Sequence, residues 1–562
     1  MSRRGLTKVE SEEEMDKIFA EMNSDDSVDD TVFVTSDIEE NSDIELEFES
    51  HDEELFDNEP LANTSNDPCN LDWSRNIQLQ PRISFSGNEG FQNESINDKS
   101  TPADIFFRFI DDNVLRIMVV ETNRYAHQLL QSRVTTRKHQ LARWKDVDKN
   151  EMKRFLGVVL FMGIVNLPKI ECYWKQDILY YHPLLHKINM SYNRFSLILR
   201  CWHFTDNSVP RENNDRLYKI SPLIEAIVSN IQSLYMPGQV VAIDESMILF
   251  RGRLQYNPGK AHKYGVKLYK LCSPEGFVWN LKIYCGKDQT MENLDKPGSV
   301  VVSLGKKLLN EGRVFITDNW YTSIPLAMYL KSHGTDLCGT LRRNKKYLPK
   351  EVINSKLNKG ELFGMQADGI TVLKWRDKRD VLMLSTYQGS EMIDVPNKQG
   401  SVVKSKPKII VEYNKGKQGI DISDQMTSYY SVLRKSLIWY KKVALEVICG
   451  YVVTNSCIMY NESHPNKTLR QLEFLEQLVR HILDTENVPT PSRQTGTSQE
   501  HFLEEIPRRT NGMIRRKRCH YCYIRNKNDR DSEFASKRTK QVSTECNACE
   551  KAFCLQCFKE NH

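Results

Sequence analysis

Asp244 closes the run Val240-Val-Ala-Ile and is followed by Glu245 and Ser246. Asp318 closes a second run, Val314-Phe-Ile-Thr, about seventy residues later. A third acidic stretch, Gly419-Ile-Asp-Ile-Ser-Asp-Gln-Met, carries Asp421 and Asp424 three residues apart, which puts both on one face of a helix. Carboxylates gathered without basic partners repel one another and take up protons unless a cation holds them. Mg²⁺ takes oxygen ligands and keeps several waters, so one or two carboxylates per ion suffice. Two such ions about 4 Å apart stabilise the attacking and the leaving oxygen of a phosphodiester displacement. Asp244, Asp318 and Asp421, on three separate elements, match that need in number. An acid at a strand end also serves as a helix cap or a solvated turn, and spacing alone does not separate these uses.

The elements that must position these acids can be read in outline. The runs before Asp244 and Asp318 are β-branched and apolar, which predicts buried strands with the acids at their ends. Between them lie Met247-Ile-Leu-Phe, the alternating stretch from Gly259 to Cys272, and the strand Gly276 to Cys285, followed by a helix-like segment from Val300 to Leu309. That order predicts a mixed α/β sheet. Residues 338–408 interrupt it with short strands among lysine-rich turns, and the α/β pattern resumes at Ile409-Ile-Val-Glu-Tyr. Upstream, Thr101-Pro-Ala-Asp opens a helix with a capping residue and a proline in its first turn. A second helix from Glu151 is apolar nearly all round after Phe155, so it should be buried. Trp144, Tyr173, Trp174, Trp202 and Phe204 read mostly as core. From Asp421 to Met459 the chain is strongly helical, and residues 485–510 form a polar linker.

Composition narrows the partners. The formal net charge is +4 over 562 residues, but residues 1–60 hold 22 acids against 4 bases. The remainder carries a net charge of +22. A basic body beside an acidic tail predicts a polyanionic partner, most simply nucleic acid. Residues 1–100 are too polar to offset the entropy of ordering and are expected to be disordered. Ser24, Ser27, Ser36 and Ser42 lie close before acids and read as substrates for an acid-directed kinase. No secretory signal follows Met1, and the longest apolar stretch, Phe155 to Val165, is too short to span a bilayer, so no membrane partner is expected.

Six of the 14 cysteines crowd into Cys519-x2-Cys522, Cys546-x2-Cys549 and Cys554-x2-Cys557, followed by x4-His562. Pairs at this spacing bind Zn²⁺ tetrahedrally, and three pairs exceed one site, so two interleaved zinc ions are expected. Seven ligands are countable, and His520 is the nearest candidate for the eighth. A RING-type ligase is a competing reading, opposed by the lack of a Cys-x-His pair in the middle. Just upstream, Arg515, Arg516, Lys517 and Arg518 form a cluster suited to phosphate contact or nuclear import.

The order of motifs carries a resemblance. V-A-I-D-E-S, R-G-R, the G-x-K-L-Y strand, I-T-D-N-W-Y-T-S, C-G-T-L-R-R-N and G-I-D-I-S-D-Q-M, with W-Y-K-K after them, resemble the piggyBac family of DNA transposases. So does the upstream block from Trp144 to Trp174, and the likeness spans roughly residues 101–562. The resemblance implies an RNase H-like α/β catalytic domain in which Asp244, Asp318 and Asp421 are the first, second and third catalytic aspartates and metal ligands. Asp424 matches a further acid of that site. Mg²⁺ or Mn²⁺ would be the catalytic ion.

The implied domains are a disordered acidic tail (1–100), a split α-helical dimerisation and DNA-binding domain (101–236 and 429–484), and a catalytic domain (237–337 and 409–428). A β-rich insertion (338–408), a linker (485–514) and a cysteine-rich zinc-binding domain (515–562) complete them. Family members cut at terminal inverted repeats and rejoin at TTAA. The implied protein is a nuclear homodimer acting on double-stranded DNA. The rival expectation is a domesticated, transposase-derived DNA-binding protein that no longer mobilises anything.

Overall fold

Alternation of apolar residues builds one sheet from the middle of the chain. The computed structural model describes residues 71–561 apart from 93–95, 133–139, 210–214, 250–264, 286–290, 292–293, 397–402, 435–437, 484–501, 509–511, 530–531, 548 and 550. The strands are β1 (Val240–Leu249), β2 (Gly265–Cys272), β3 (Val278–Ile283), β4 (Val314–Thr317), β5 (Asp336–Thr340), β6 (Leu362–Ala367), β7 (Ile370–Arg376) and β8 (Asp380–Ser385). Their order is β3-β2-β1-β4-β5-β8-β7-β6. β1, β4 and β5 are mutually parallel, and every other neighbouring pair is antiparallel. The β4 strand is buried along its whole length, as a central parallel strand requires.

Helices cover this sheet and extend away from it. Helix α1 (Pro102–Phe109) starts at a capping box between Thr101 and Asp104, as its sequence predicts. Next come α2 (Asp112–Ser132) and α3 (Lys149–Ile164), the latter capped by Asp148. Every α3 residue from Phe155 to Met162 is buried, matching its all-round apolar pattern. Tyr173, Trp202 and Phe204 are core side chains, while Trp144 and Trp174 pack half-buried against the core. Helix α4 (Lys408–Tyr429) lies over β1, and α5 (Gln471–Ile482) packs on α1 and α3. Between these two, the helical run Trp439–Ser463 is long and apolar enough to cross a membrane by length and composition. Its most apolar window is 89% buried inside the protein, so it serves here as a core helix.

Several expectations need correction. The tail was expected to be disordered through residue 100, but residues 71–92 lie along the sheet. Ser74 exchanges backbone hydrogen bonds with Gln366 of β6, and the Ile83 N–H donates to the Asp336 carboxylate at 3.0 Å. Gly90–Phe91 pairs with Tyr235–Met236, and Leu71, Trp73, Ile77 and Phe91 pack on the core. Averaging composition over 100 residues hid these anchors. Residues 1–70, with the four serines, lie outside the described residues. The β-rich segment 338–408 is not separate in space, because β6, β7 and β8 extend the main sheet. Only the hairpin of Met392–Pro396 and Val403–Pro407 forms a sheet of its own. Ile409 opens no strand: Ile409, Ile410, Tyr413, Gly416, Ile420, Ser423 and Thr427 recur at helical spacing and form the buried face of α4.

The described residues from Phe502 onward form a second compact unit. Leu503–Glu505 pairs with Thr544–Cys546, and Ile506 is buried with Cys519, Cys554 and Cys557. The fold of this unit therefore takes in residues expected to belong to the linker and starts upstream of residue 515.

Helix α4 reaches the sheet through two glycines. A Cβ on Gly416 would stand 2.6 Å from Ile316 Cγ1, and one on Gly419 would stand 2.0 Å from the Ser273 carbonyl oxygen. In an open helix Gly→Ala stabilises by up to about 1 kcal/mol. Here the obstacle is backbone, so the sign reverses. Gly419→Ala is expected to destabilise by about 1–3 kcal/mol, the range of overpacked cores, read as a lower denaturant midpoint at unchanged slope. A midpoint at or above wild type would show that α4 does not sit this close.

Candidate active site and cysteine cluster

Side chains alternate along β1, so Asp244 and Ser246 share one face and Glu245 points to the other. Ile243 pairs in parallel with Thr317, which makes Asp244 and Asp318 the next positions on adjacent strands. Asp244 lies within β1, which runs on to Leu249, and not at its end as the apolar run predicted. Its carboxylate accepts the Glu245 N–H at 2.7 Å. Asp318 follows the last residue of β4 and opens a tight turn. Its carboxylate accepts the Trp320 N–H at 2.9 Å, and its carbonyl accepts the Thr322 hydroxyl at 2.7 Å.

Asp421 and Asp424 come from α4. The Asp424 carboxylate accepts the Ser246 hydroxyl at 2.7 Å, so α4 lies on the Asp244 face of β1. Asp421, one turn earlier, is exposed. The structure thus brings Asp244 and Asp318 side by side and lays the helix of Asp421 and Asp424 over them. It does not close the acids into a tight set. Among the described residues, the one such group of three or more side chains gathered as a metal ion would need them is made of cysteines.

The acids sense one another. Burial pushes the Asp318 carboxyl up from its ordinary value, and the negative charge of Glu245 adds to this, while Lys417 and Arg342 pull it back. The Tyr321 hydroxyl is pushed well up by burial and then by Asp244, Glu245 and Asp318. Burial is also the main cause for Tyr413, with Asp318 and Asp244 contributing. Negative charge is therefore concentrated where β1 and β4 run side by side, and a hard divalent cation would relieve it. Carboxylate oxygens are the donor type that Mg²⁺ or Mn²⁺ takes, so the residues present fit such an ion.

Several neighbours of this site were not singled out from the sequence. Glu245 is ion-paired with Lys267, whose ammonium lies 5.1 Å from the Trp320 ring centroid and 5.4 Å from that of Tyr269. Lys270 is the cross-strand partner of Asp244 and is fully buried. Its ammonium donates to Asp424 at 2.5 Å and to the Ser423 hydroxyl at 3.2 Å, and lies 4.8 Å from the Tyr451 ring centroid. Glu446, in a π-helical turn of the Trp439–Ser463 run, is pushed up to about 7 by burial, against the pull of Lys270. The one signal available in sequence was a lysine inside the apolar stretch Leu268-Tyr-Lys-Leu-Cys.

In the second unit, Cys519, Cys522, Cys554 and Cys557 bring their sulfurs within 4.8 Å of one another. This group could hold zinc, because four thiolates suit a tetrahedral ion. The Cys554 N–H donates to Cys519 Sγ at 3.3 Å. Burial raises the Cys554 thiol, but hydrogen bonds from Cys557, Cys519 and Cys522 bring it down to about 7. The first and third pairs thus meet. Cys546 and Cys549 stand apart from that group, linked by a Cys549 N–H to Cys546 Sγ contact at 3.5 Å. The His520 ring packs at right angles to Phe553 and is not part of the four-cysteine group, and His562 lies outside the described residues. The basic cluster divides. Lys517 is ion-paired with Glu545 and Arg518 Nε donates to the Ser536 carbonyl, while Arg515 and Arg516 are exposed.

The solved structure of a piggyBac transposase synaptic complex with hairpin DNA shares the fold, with a TM-score of 0.62 and 23% identity, covering 84% of this chain and 98% of that one. A family model described as Transposase IS4 matches residues 101–457, and the chain belongs to this transposase family, of the piggyBac type. Human PiggyBac transposable element-derived protein 3 is 24% identical over 485 residues, covering 82% of this chain and 76% of the relative. Human PiggyBac transposable element-derived protein 5 is 23% identical over 448 residues, covering 75% and 82%.

The raised Asp318 carboxyl has a sign that can be tested. A carboxyl whose folded-state value is raised takes stability away as the pH climbs from its ordinary value through the raised one. At neutral pH without divalent ions, Asp318→Asn should raise the melting temperature, because it removes a charge that burial and the negative charge of Glu245 disfavour and keeps the shape. Mn²⁺ should stabilise the wild type by mass action and this variant much less. Melting temperatures lower than wild type in EDTA would refute the charge argument.

Proposed function

We propose that this chain is a metal-dependent cut-and-paste DNA transposase with an RNase H-like catalytic domain. The observation that carries this reading is the register that sets Asp244 beside Asp318 on parallel strands, with Asp421 on the helix laid over them. Asp244, Asp318 and Asp421 would hold Mg²⁺ or Mn²⁺. When bound, the ions would stabilise charge on the attacking and leaving oxygens of a phosphodiester. The chain's own residues do the positioning. The Trp320 N–H orients the Asp318 carboxylate, the Glu245 N–H orients that of Asp244, and α4 carries Asp421 in. The substrate is double-stranded DNA, bound at terminal inverted repeats and rejoined at TTAA by a homodimer in the nucleus.

A cleft of about 890 Å³ in the helical layer supports the polyanionic partner. Lys99, Arg108, Lys153 and Arg154 line it, and the one acid there, Asp104, is engaged by Thr101 in the cap of α1. Such a lining suits phosphates, which dominate affinity for duplex DNA. The cysteine unit would hold two zinc ions, one on Cys519, Cys522, Cys554 and Cys557 and one drawing on Cys546 and Cys549, and would read sequence near the transposon end. Arg515 and Arg516 are the residues of the basic cluster left to meet phosphate.

Asp244→Asn, Asp318→Asn and Asp421→Asn should each abolish strand cleavage of end DNA in Mg²⁺ while duplex binding survives at fixed salt. Cleavage near the wild-type rate by any of the three would remove that residue from the catalytic set. A wild-type chain that binds the ends but never cuts them would favour a DNA-binding protein without transposition activity.

Cys554→Ser with Cys557→Ser should unfold the cysteine unit, since structural zinc supplies its folding energy. Preference for end DNA over scrambled DNA should fall sharply, with the melting of residues 71–483 little changed. A full preference retained by this variant would give the unit another role.

A further inference from the structure

Lys270 does not fit the pattern of its strand. The residues beside it on β2, Leu268, Tyr269, Leu271 and Cys272, are all buried apolar groups, yet the lysine among them is fully buried too. A buried ammonium is costly unless it is paired and hydrogen-bonded. Lys270 meets that condition by reaching across to α4. There it takes the Asp424 carboxylate and the Ser423 hydroxyl, with the Tyr451 ring against it. Ser246, two residues beyond Asp244 on the neighbouring strand, donates to the same Asp424 oxygen. Two sheet residues that flank the catalytic position, one on β2 and one on β1, therefore grip a single carboxylate of the helix. Asp421 and Asp424 lie three residues apart, so fixing one sets the rotation and height of the other.

We propose that Lys270 is a positioning residue that claims Asp424 as the anchor of α4, leaving the catalytic ions to Asp244, Asp318 and Asp421. The inference rests on the metal-dependent reading above and refines it, because it gives the fourth acid, Asp424, a role of its own: anchoring the helix that carries Asp421. Lys270 supplies Asp424 with a built-in counter-charge, so this carboxylate does not compete for the ion. The clamp also explains why Asp421 is exposed and available while Asp424 is engaged. Lys270 does not touch the reacting phosphodiester and acts only through the helix.

The test is Mn²⁺ binding to the full-length protein, followed by calorimetry, alongside denaturant unfolding in EDTA. Asp421→Asn should weaken Mn²⁺ binding by about tenfold or more, as loss of a site carboxylate does. Asp424→Asn should weaken it clearly less than Asp421→Asn does, only through looser placement of Asp421, and should lower stability, because the Lys270 ammonium is left buried without its carboxylate. Lys270→Met should tighten Mn²⁺ binding, since a positive charge is gone and a carboxylate is released. Adding Asp424→Asn to Lys270→Met should cancel that gain and recover stability relative to Asp424→Asn alone. A purely structural lysine would move the unfolding midpoint without moving ion affinity in this reversible way. The proposal is overturned if Asp424→Asn weakens Mn²⁺ binding as much as Asp421→Asn does, or if the two substitutions act on stability independently. The first comparison stands even if Lys270→Met fails to fold. A wild-type chain that binds no Mn²⁺ would sink the metal-dependent reading, while the stability cycle would still decide the clamp.

Discussion

The closeness of α4 to the sheet is the constraint on which the rest depends. A helix packed on side chains usually sits about 8–10 Å from its neighbour's axis. At Gly416 and Gly419 the α4 backbone comes in where no Cβ fits, against Ile316 on one side and the Ser273 carbonyl on the other. That approach lets short side chains span the gap between helix and strand. Ser246 reaches Asp424 from β1, and Lys270 reaches the same residue from β2. With larger residues at the two glycines the helix would ride higher, and Asp421 would be carried away from Asp244 and Asp318.

The second determinant is electrostatic. Folding gathers Asp244, Glu245 and Asp318 at one place, and the cost shows in the raised Asp318 and Tyr321 groups. Basic residues offset part of it selectively. Lys267 takes Glu245 and Lys270 takes Asp424, while the Asp244 and Asp318 carboxylates each accept a backbone N–H. Backbone donors orient a carboxylate without cancelling its charge.

Much of this was legible in the sequence, for reasons that differ by element. The strands before Asp244 and Asp318 announced themselves as β-branched runs, α1 by its cap and α3 by its all-round apolar pattern. The ordered motifs placed the chain in its family. The start of α4 was legible only as a resumed α/β pattern, because Ile409-Ile-Val is locally strand-like and only the longer recurrence through Thr427 shows the helical period. The 71–92 strap was missed because its few apolar anchors are diluted in a polar composition. Lys270 could not be assigned a role at all, since the partner that matters is 154 positions away. Likewise, spacing showed that three cysteine pairs exist, but not that the first meets the third and leaves Cys546 and Cys549 apart.

The order in which the chain supplies these parts has a consequence for how the protein is made. β1 is finished by residue 249, but the helix that covers it begins at residue 408, and the buried run behind that helix ends at residue 463. At about 5–20 residues per second, a ribosome needs roughly ten seconds or more to deliver the missing cover. During that interval an apolar sheet face waits without its lid, and the strands that flank the acids cannot be locked in place. Until the helices from residue 408 on emerge, the nascent chain would offer this face to chaperones that bind exposed apolar surface. A truncated product ending before residue 408 would expose the same face permanently.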